Sequence, residues 1–160
     1  MATCTSHSPA ETESIGEAWG REAQSGLVIG LCGELGTGKT QLVKGLARGL
    51  GITARVQSPT FALVNVYAGG RLRLFHLDLY RLDTPEQVFA AGLEEYLEPD
   101  GVTVIEWAER LGEDEGRRTK GEGQSAEGEG GPWRRSRWRW ARIEAVSETE
   151  RRVVYEDFSG

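Results

Sequence analysis

The sequence predicts a three-layer α/β fold around a mixed parallel and antiparallel sheet, and three observations predict it. Leu27-Val-Ile-Gly-Leu-Cys32 is a continuous apolar run of strand length, expected of a strand buried on both faces, and it enters a glycine-rich turn followed by an amphipathic helical pattern. Residues 61–68 and 71–80 are strand-like runs around Gly69-Gly70, a dipeptide able to take the positive φ angles of a two-residue hairpin turn. Val102-Thr-Val-Ile105 is a further buried-strand run, and Glu106-Trp107 stands at its C-terminal end, where open α/β sheets place their ligands.

At 160 residues the chain is expected to form one domain spanning 1–160. Hydrophobic residues make up 38% and charged residues 28%, ordinary for a globular protein, so neither wholesale disorder nor a fibrous class is suggested. A net charge of −6 argues against a protein whose main role is coating nucleic acid, because phosphate neutralisation needs clustered Lys and Arg. Cys4 and Cys32 show neither metal-ligand spacing nor a disulfide framework, which fits a reducing compartment. The N-terminus, read as a disordered tail carrying Cys4, has no basic stretch followed by an apolar core. No apolar run approaches the roughly 20 residues that span a bilayer, so a cytoplasmic protein without membrane contact is expected.

The elements follow from local signals. Ser8 and Pro9 read as N-cap and first position of a helix bearing Ile15, Ala18, Trp19 and Ala23, closed by Gly26. Leu42, Val43, Leu46 and Leu50 mark the stripe of the next helix, with Gly51 in the C-terminal glycine position. Thr84-Pro-Glu-Gln87 reads as a capping box starting a helix with Val88, Phe89 and Leu93, which Gly92 ends or bends. Residues 112–131 hold no large apolar side chain and cannot offset their ordering entropy, so a disordered loop is expected over 112–132. Residues 137–146 and 151–158 look like a C-terminal hairpin returning to the sheet edge.

Gly33-Glu-Leu-Gly-Thr-Gly-Lys39-Thr40 fits the phosphate-binding P-loop pattern and sits in the required strand–loop–helix context. Gly33, Gly36 and Gly38 allow a tight turn that aims amide N–H groups inward, and the helix start adds its positive dipole end. Contacts to the nucleotide are assigned to Glu34, Leu35, Gly36, Thr37, Gly38, Lys39, Thr40 and Gln41. Lys39 supplies a mobile point charge for the β and γ phosphates, and the Thr40 hydroxyl is placed as a magnesium ligand. Magnesium takes one or two further carboxylates, for which the strand-end residues Asp78 and Glu106 qualify, Glu106 ranking higher. Lys39, Asp78 and Glu106 are thus the catalytic candidates.

Other residues admit blander readings. Trp107 is counted with the nucleotide contacts, although a tryptophan beside a strand more often packs than recognises. His76 reads as a hydrogen-bonded structural histidine. Trp133-Arg-Arg-Ser-Arg-Trp-Arg-Trp-Ala-Arg142 has a composition suited to RNA. The favoured alternative makes Trp138 and Trp140 one face of an edge strand with the arginines in water.

Four segments together resemble the TsaE (YjeE) family, the P-loop ATPase component of bacterial tRNA threonylcarbamoyladenosine synthesis. They are the loop 33–40, Ser58-Pro-Thr-Phe-Ala-Leu-Val-Asn65 with Tyr67, His76-Leu-Asp-Leu-Tyr-Arg-Leu82, and Ile105-Glu-Trp107. The likeness covers about residues 10–110, with a weaker echo in 152–160. It implies a P-loop NTPase fold with a mixed sheet, ATP rather than GTP, and magnesium held by Thr40 and Glu106 with Asp78 nearby. Ser58, Pro59 and Thr60 look like a switch sensing the γ-phosphate and the partner. Thr12 would approach the nucleotide from the first helix and Arg152 from the C-terminal hairpin. The resemblance also implies TsaB and TsaD as partners, tRNA reached through them, and hydrolysis that resets the complex. The 112–131 stretch and the tryptophan–arginine run depart from the family pattern.

Two rival readings stay open. A small-molecule kinase also suits a P-loop on a small domain. A nucleotide-dependent binding module with negligible turnover needs the same loop. A GTPase is disfavoured, since no Asn-Lys-x-Asp motif occurs.

Overall fold

The computed structural model describes residues 1–34, 36–59, 61–111 and 137–159. Leu35, Thr60, the loop expected at 112–132 and the Trp133-Arg-Arg-Ser136 part of the tryptophan–arginine run lie outside them. The elements are β1 (Ala2–Ser6), α1 (Pro9–Glu22), β2 (Leu27–Cys32), α2 (Lys39–Gly49), β3 (Val64–Tyr67), β4 (Leu74–Asp78), α3 (Pro85–Ala90), β5 (Val102–Glu106), β6 (Arg137–Ala145) and β7 (Arg151–Ser159). Short 3-10 turns cover Leu93–Leu97 and Ala108–Leu111.

Among the described residues the strands form one sheet in the order β1-β7-β6-β2-β5-β4-β3. β2 pairs in parallel with β5 and β6, and β4 with β5; the β1–β7, β6–β7 and β3–β4 pairs are antiparallel. The mixed sheet is as the sequence predicts. Strand alternation splits the core into two layers. Ile29, Leu31, Leu74 and Val104 pack with Trp19, Leu42, Val43 and Leu46 of α1 and α2. Val28, Cys32, Leu77 and Ile105 pack on the other face with Val88, Leu93, Leu97, Trp138 and Trp140. No helix among the described residues is long and apolar enough to cross a membrane.

Both predicted N-caps are present: Ser8 accepts from the Glu11 amide and Thr84 from the Gln87 amide, each with proline following. α2 ends in a Schellman motif, with Gly51 at φ +79, its amide bonded to Arg48 O and that of Ile52 to Ala47 O. α1 ends at Glu22, before Gly26, and α3 ends at Ala90, so Leu93 belongs to the following 3-10 turn.

α1 and α2 meet backbone to backbone. A Cβ added at Gly16 would stand 2.1 Å from Leu42 O, at Gly20 2.4 Å from Leu46 O, at Gly45 1.8 Å from Glu13 O, and at Gly49 2.2 Å from Glu17 O. Two glycines four residues apart on each helix therefore set the contact, and the buried face of α1 is Thr12, Gly16, Trp19 and Gly20, with Ala18 exposed. The apolar stripe expected for α1 missed this because glycine carries no hydropathy signal.

Four expectations need correction. The N-terminus is strand β1, with Cys4 opposite Val153 on β7; Thr3 and Thr5 are exposed between the more buried Ala2, Cys4 and Ser6, too small a contrast to signal a strand, and the pairing comes from the backbone edge of β7. The hairpin turn is longer than two residues, since Tyr67 pairs with Leu74. Gly70 there lies against α2, where a Cβ would meet Leu50 O at 2.3 Å, and the Arg71 amide donates to that oxygen at 2.7 Å. The C-terminal hairpin does not return to the edge: β6 is interior, between β2 and β7. Trp138 and Trp140 do share a face, but they are buried core residues rather than an edge-strand face, and Arg139 stacks on Trp19 and Tyr155 while forking onto Asp157. These side chains are spent on packing and are not available to stack on bases.

Candidate functional site

β2 ends at Cys32 and α2 begins at Lys39, and the turn between them carries the glycine-rich motif. Gly36 (φ +79) and Gly38 (φ +104) take backbone angles that side chains rarely adopt, which lets the chain close tightly into the helix. Gly38 is the N-cap of α2 and provides no capping side chain, so the first helical amides stay available to an anion. Thr37 Oγ1 donates to Glu34 O at 2.9 Å and braces the turn from inside.

Lys39 is almost fully buried, and its ammonium donates to Gly33 O at 2.7 Å and Glu34 O at 2.8 Å. The Trp107 ring covers it, with Nζ 4.1 Å from the centroid. Burial lowers the Lys39 pKa, and the carboxylates of Glu106, Glu109 and Asp78 oppose that shift. Trp107 holds a positive φ of 60°, a conformation that costs free energy in a non-glycine residue and so marks a constrained position.

Parallel pairing places Asp78, at the end of β4, directly beside Glu106, at the end of β5, both pointing to the face that carries α2. Thr40, in the first turn of α2, donates to Glu106 Oε1 at 2.9 Å and Oε2 at 3.1 Å. His76 Nε2 meets the same carboxylate at 2.5 Å. Asp78 accepts from Ser58 Oγ at 3.1 Å and from the Tyr80 amide at 2.9 Å, which ties Ser58 to the strand ends.

These groups open on one cleft of about 520 Å³, whose walls include Gly36, Gly38, Lys39, Thr40, Gln41, Ser58, Asp78, Glu106 and Trp107. Most of the residues singled out in the sequence thus converge. Glu34 stands at the loop and contributes its carbonyl, Pro59 is buried and does not line the cleft, and Leu35 and Thr60 lie outside the described residues. Thr12 turns its hydroxyl away, to Ser6 Oγ at 2.7 Å, and offers Gly38 only its methyl group. Arg152 lies on β7 in an exposed ion pair with Glu144 and does not line the cleft.

Three residues of the site were missed. Lys44 and Tyr80 line the cleft; Lys44 was legible in principle, four residues after Thr40 on the same helical face. Glu109 accepts the Gly33 amide at 3.3 Å from the turn after β5 and, after burial itself, helps push the Cys32 thiol up. No local pattern distinguishes it.

The model of the family described as "Threonylcarbamoyl adenosine biosynthesis protein TsaE" matches residues 6–126, more than half of the chain. This chain belongs to the TsaE family. Among TsaE relatives, one from Treponema pallidum is 48% identical over 68% of this chain and 79% of its own length. One from Synechocystis sp. is 47% identical over 62% of this chain and one from Nostoc sp. 48% over 62%. These matches span 66% and 64% of those two relatives, a little under two thirds of their length. All four motif segments fall inside the TsaE match, whereas β6 and β7 lie beyond it. There the likeness is structural: the crystal structure of Bacillus subtilis YdiB superposes with a TM-score of 0.73 and 29% identity, covering 99% of this chain and 86% of that one.

Proposed function

We propose that this chain binds ATP with magnesium and hydrolyses it as the nucleotide-dependent component of tRNA threonylcarbamoyladenosine synthesis, working on TsaB and TsaD in the cytoplasm. The observation that carries the reading is the meeting of Lys39, Thr40, Asp78 and Glu106 at one cleft beside an uncapped helix N-terminus. Family membership supplies the biological setting.

Among the described residues no three His, Cys, Asp or Glu side chains converge as a cage for a metal. The donor set present suits magnesium bound together with phosphate, which needs only one or two protein oxygens. Thr40 gives its only proton to Glu106 and so keeps its lone pairs for a cation, with Asp78 alongside. Magnesium bound there would neutralise charge developing on the phosphates. Lys39 holds the phosphates, the α2 amides orient them, and Trp107 shields the ammonium from water. Ser58, joined to Asp78, couples the Ser58-Pro59 segment to the state of the site.

Phosphate release from ATP and magnesium, measured for the protein alone and with TsaB and TsaD, tests this. Release that rises with the partners supports the reading; phosphoryl transfer to a small acceptor would replace it with a kinase.

A further inference from the structure

We infer that His76 is a positioning residue that sets the magnesium site through Glu106, an inference that rests on the magnesium reading above. His76 lies on β4, wholly buried, on the same sheet face as Asp78 and Glu106. Its Nε2 stands 2.5 Å from Glu106 Oε2. An ionised carboxylate only accepts, so Nε2 carries the proton and donates it.

The other nitrogen, Nδ1, is buried with no hydrogen-bond partner among the described residues. A buried polar atom left unpaired costs stability, and a leucine among neighbours such as Leu74 and Val104 would avoid that cost. Packing alone therefore does not account for a histidine here. What it supplies is a fixed donor on one side of Glu106, while the Thr40 hydroxyl reaches both carboxylate oxygens from the other.

The order of donors gives the consequence. His76 fixes the plane of the Glu106 carboxylate, the carboxylate takes the Thr40 proton, and the Thr40 lone pairs are thereby aimed outward. Partners of this kind behind a metal-binding group change metal affinity by about 10–100-fold when removed. His76 touches neither phosphate nor cation in this arrangement and acts only through Glu106.

The test compares His76→Gln, whose amide nitrogen reaches the Nε2 position, with His76→Asn, whose amide reaches only the Nδ1 position. ADP binding is titrated with magnesium, and ADP affinity is also measured in EDTA. We expect His76→Gln to keep a wild-type magnesium requirement and His76→Asn to raise it about 10–100-fold, with EDTA affinity unchanged in both. Equal magnesium requirements in the two variants, shifted or not, would overturn the inference. Thr40→Ala separates the two levels: if it leaves the magnesium requirement unchanged, the magnesium reading itself fails. If Thr40→Ala raises the requirement and His76→Asn does not, only the role of His76 fails. Should His76→Asn not fold, His76→Ala with added imidazole takes its place. Recovery of the low requirement on adding imidazole then supports the role, and no recovery counts against it.

Discussion

The Lys39 ammonium lies 4.1 Å from the centre of the Trp107 ring while its two hydrogen bonds among the described residues go to carbonyls of its own loop. A phosphate entering the cleft competes with those carbonyls for the same charge. Movement of the ammonium changes the field at the indole, so nucleotide binding is expected to alter tryptophan emission. The change should disappear in Trp107→Phe, although four other tryptophans remain. Persistence of the full signal in that variant would place the reporter elsewhere.

Lys39→Ala removes the buried loop cation, leaving Lys44 as the other lysine among the described residues that line the cleft. A hydrogen bond to a charged group contributes about 1.5–3 kcal/mol, so nucleotide affinity is expected to fall by about 10–100-fold or more. Calorimetric titration with ADP reads this directly. An affinity within a factor of two of wild type would mean the helix amides alone bind the nucleotide.

The pH dependence follows from the burial of the same residue. Burial holds the Lys39 pKa below the ordinary lysine value. Nucleotide binding needs the protonated form, so affinity is full below the lowered pKa of the free protein and falls as pH rises through it. The decline should therefore begin at lower pH than for an exposed lysine, and it should be absent in Lys39→Ala. A flat profile up to the usual lysine range would contradict the burial.

Glu106→Ala separates metal from nucleotide. In EDTA the variant is expected to bind ATP as well as wild type or better, because the carboxylate repels phosphate when no cation intervenes. With magnesium, hydrolysis should be lost. The change also orphans the buried His76 donor, and an unsatisfied group of that kind costs about 1–3 kcal/mol, so the thermal midpoint should drop. Equal loss of EDTA affinity in Glu106→Ala and Lys39→Ala would refute this division of roles.

Those residues were readable because each stands in a short stretch with a strong local signal: glycines at fixed spacing, a lysine and threonine at a helix start, carboxylates at ends of apolar runs. The partners they choose were not readable. The Asp78–Glu106 register depends on strand order, and the Glu106–His76 bond depends on two parallel strands whose paired positions lie 28 residues apart, as Asp78 does from Glu106. β1 escaped notice because Ala2-Thr-Cys-Thr-Ser6 is short and alternates only small inward residues with exposed threonines, a weak signal; its order comes from the edge that β7 offers. The interior place of β6 escaped for the converse reason, since alternating tryptophan and arginine suggests a wet face until Trp19 and Asp157 are seen to take up Arg139. Glu109 reaches Gly33 across 76 residues, a distance no motif spans.

Helix contact offers a test in which propensity and packing predict opposite signs. In an exposed helix interior, Gly→Ala stabilises by about 0.5–1 kcal/mol. At Gly45 the added methyl group would sit 1.8 Å from Glu13 O, a backbone atom that can move only if α1 moves. Overpacking of a close contact costs about 1–3 kcal/mol, which outweighs the propensity gain. Gly45→Ala is therefore expected to lower the melting temperature by a few degrees, at roughly 2–4 °C per kcal/mol for a chain of this size. α2 begins at Lys39, so a helix pushed away from α1 also carries Lys39 and Thr40 out of register with Glu106. Nucleotide affinity should fall at temperatures where the variant is still folded. A raised melting temperature with unchanged affinity would show that the two helices can separate freely, and that their glycines do not set the position of the loop.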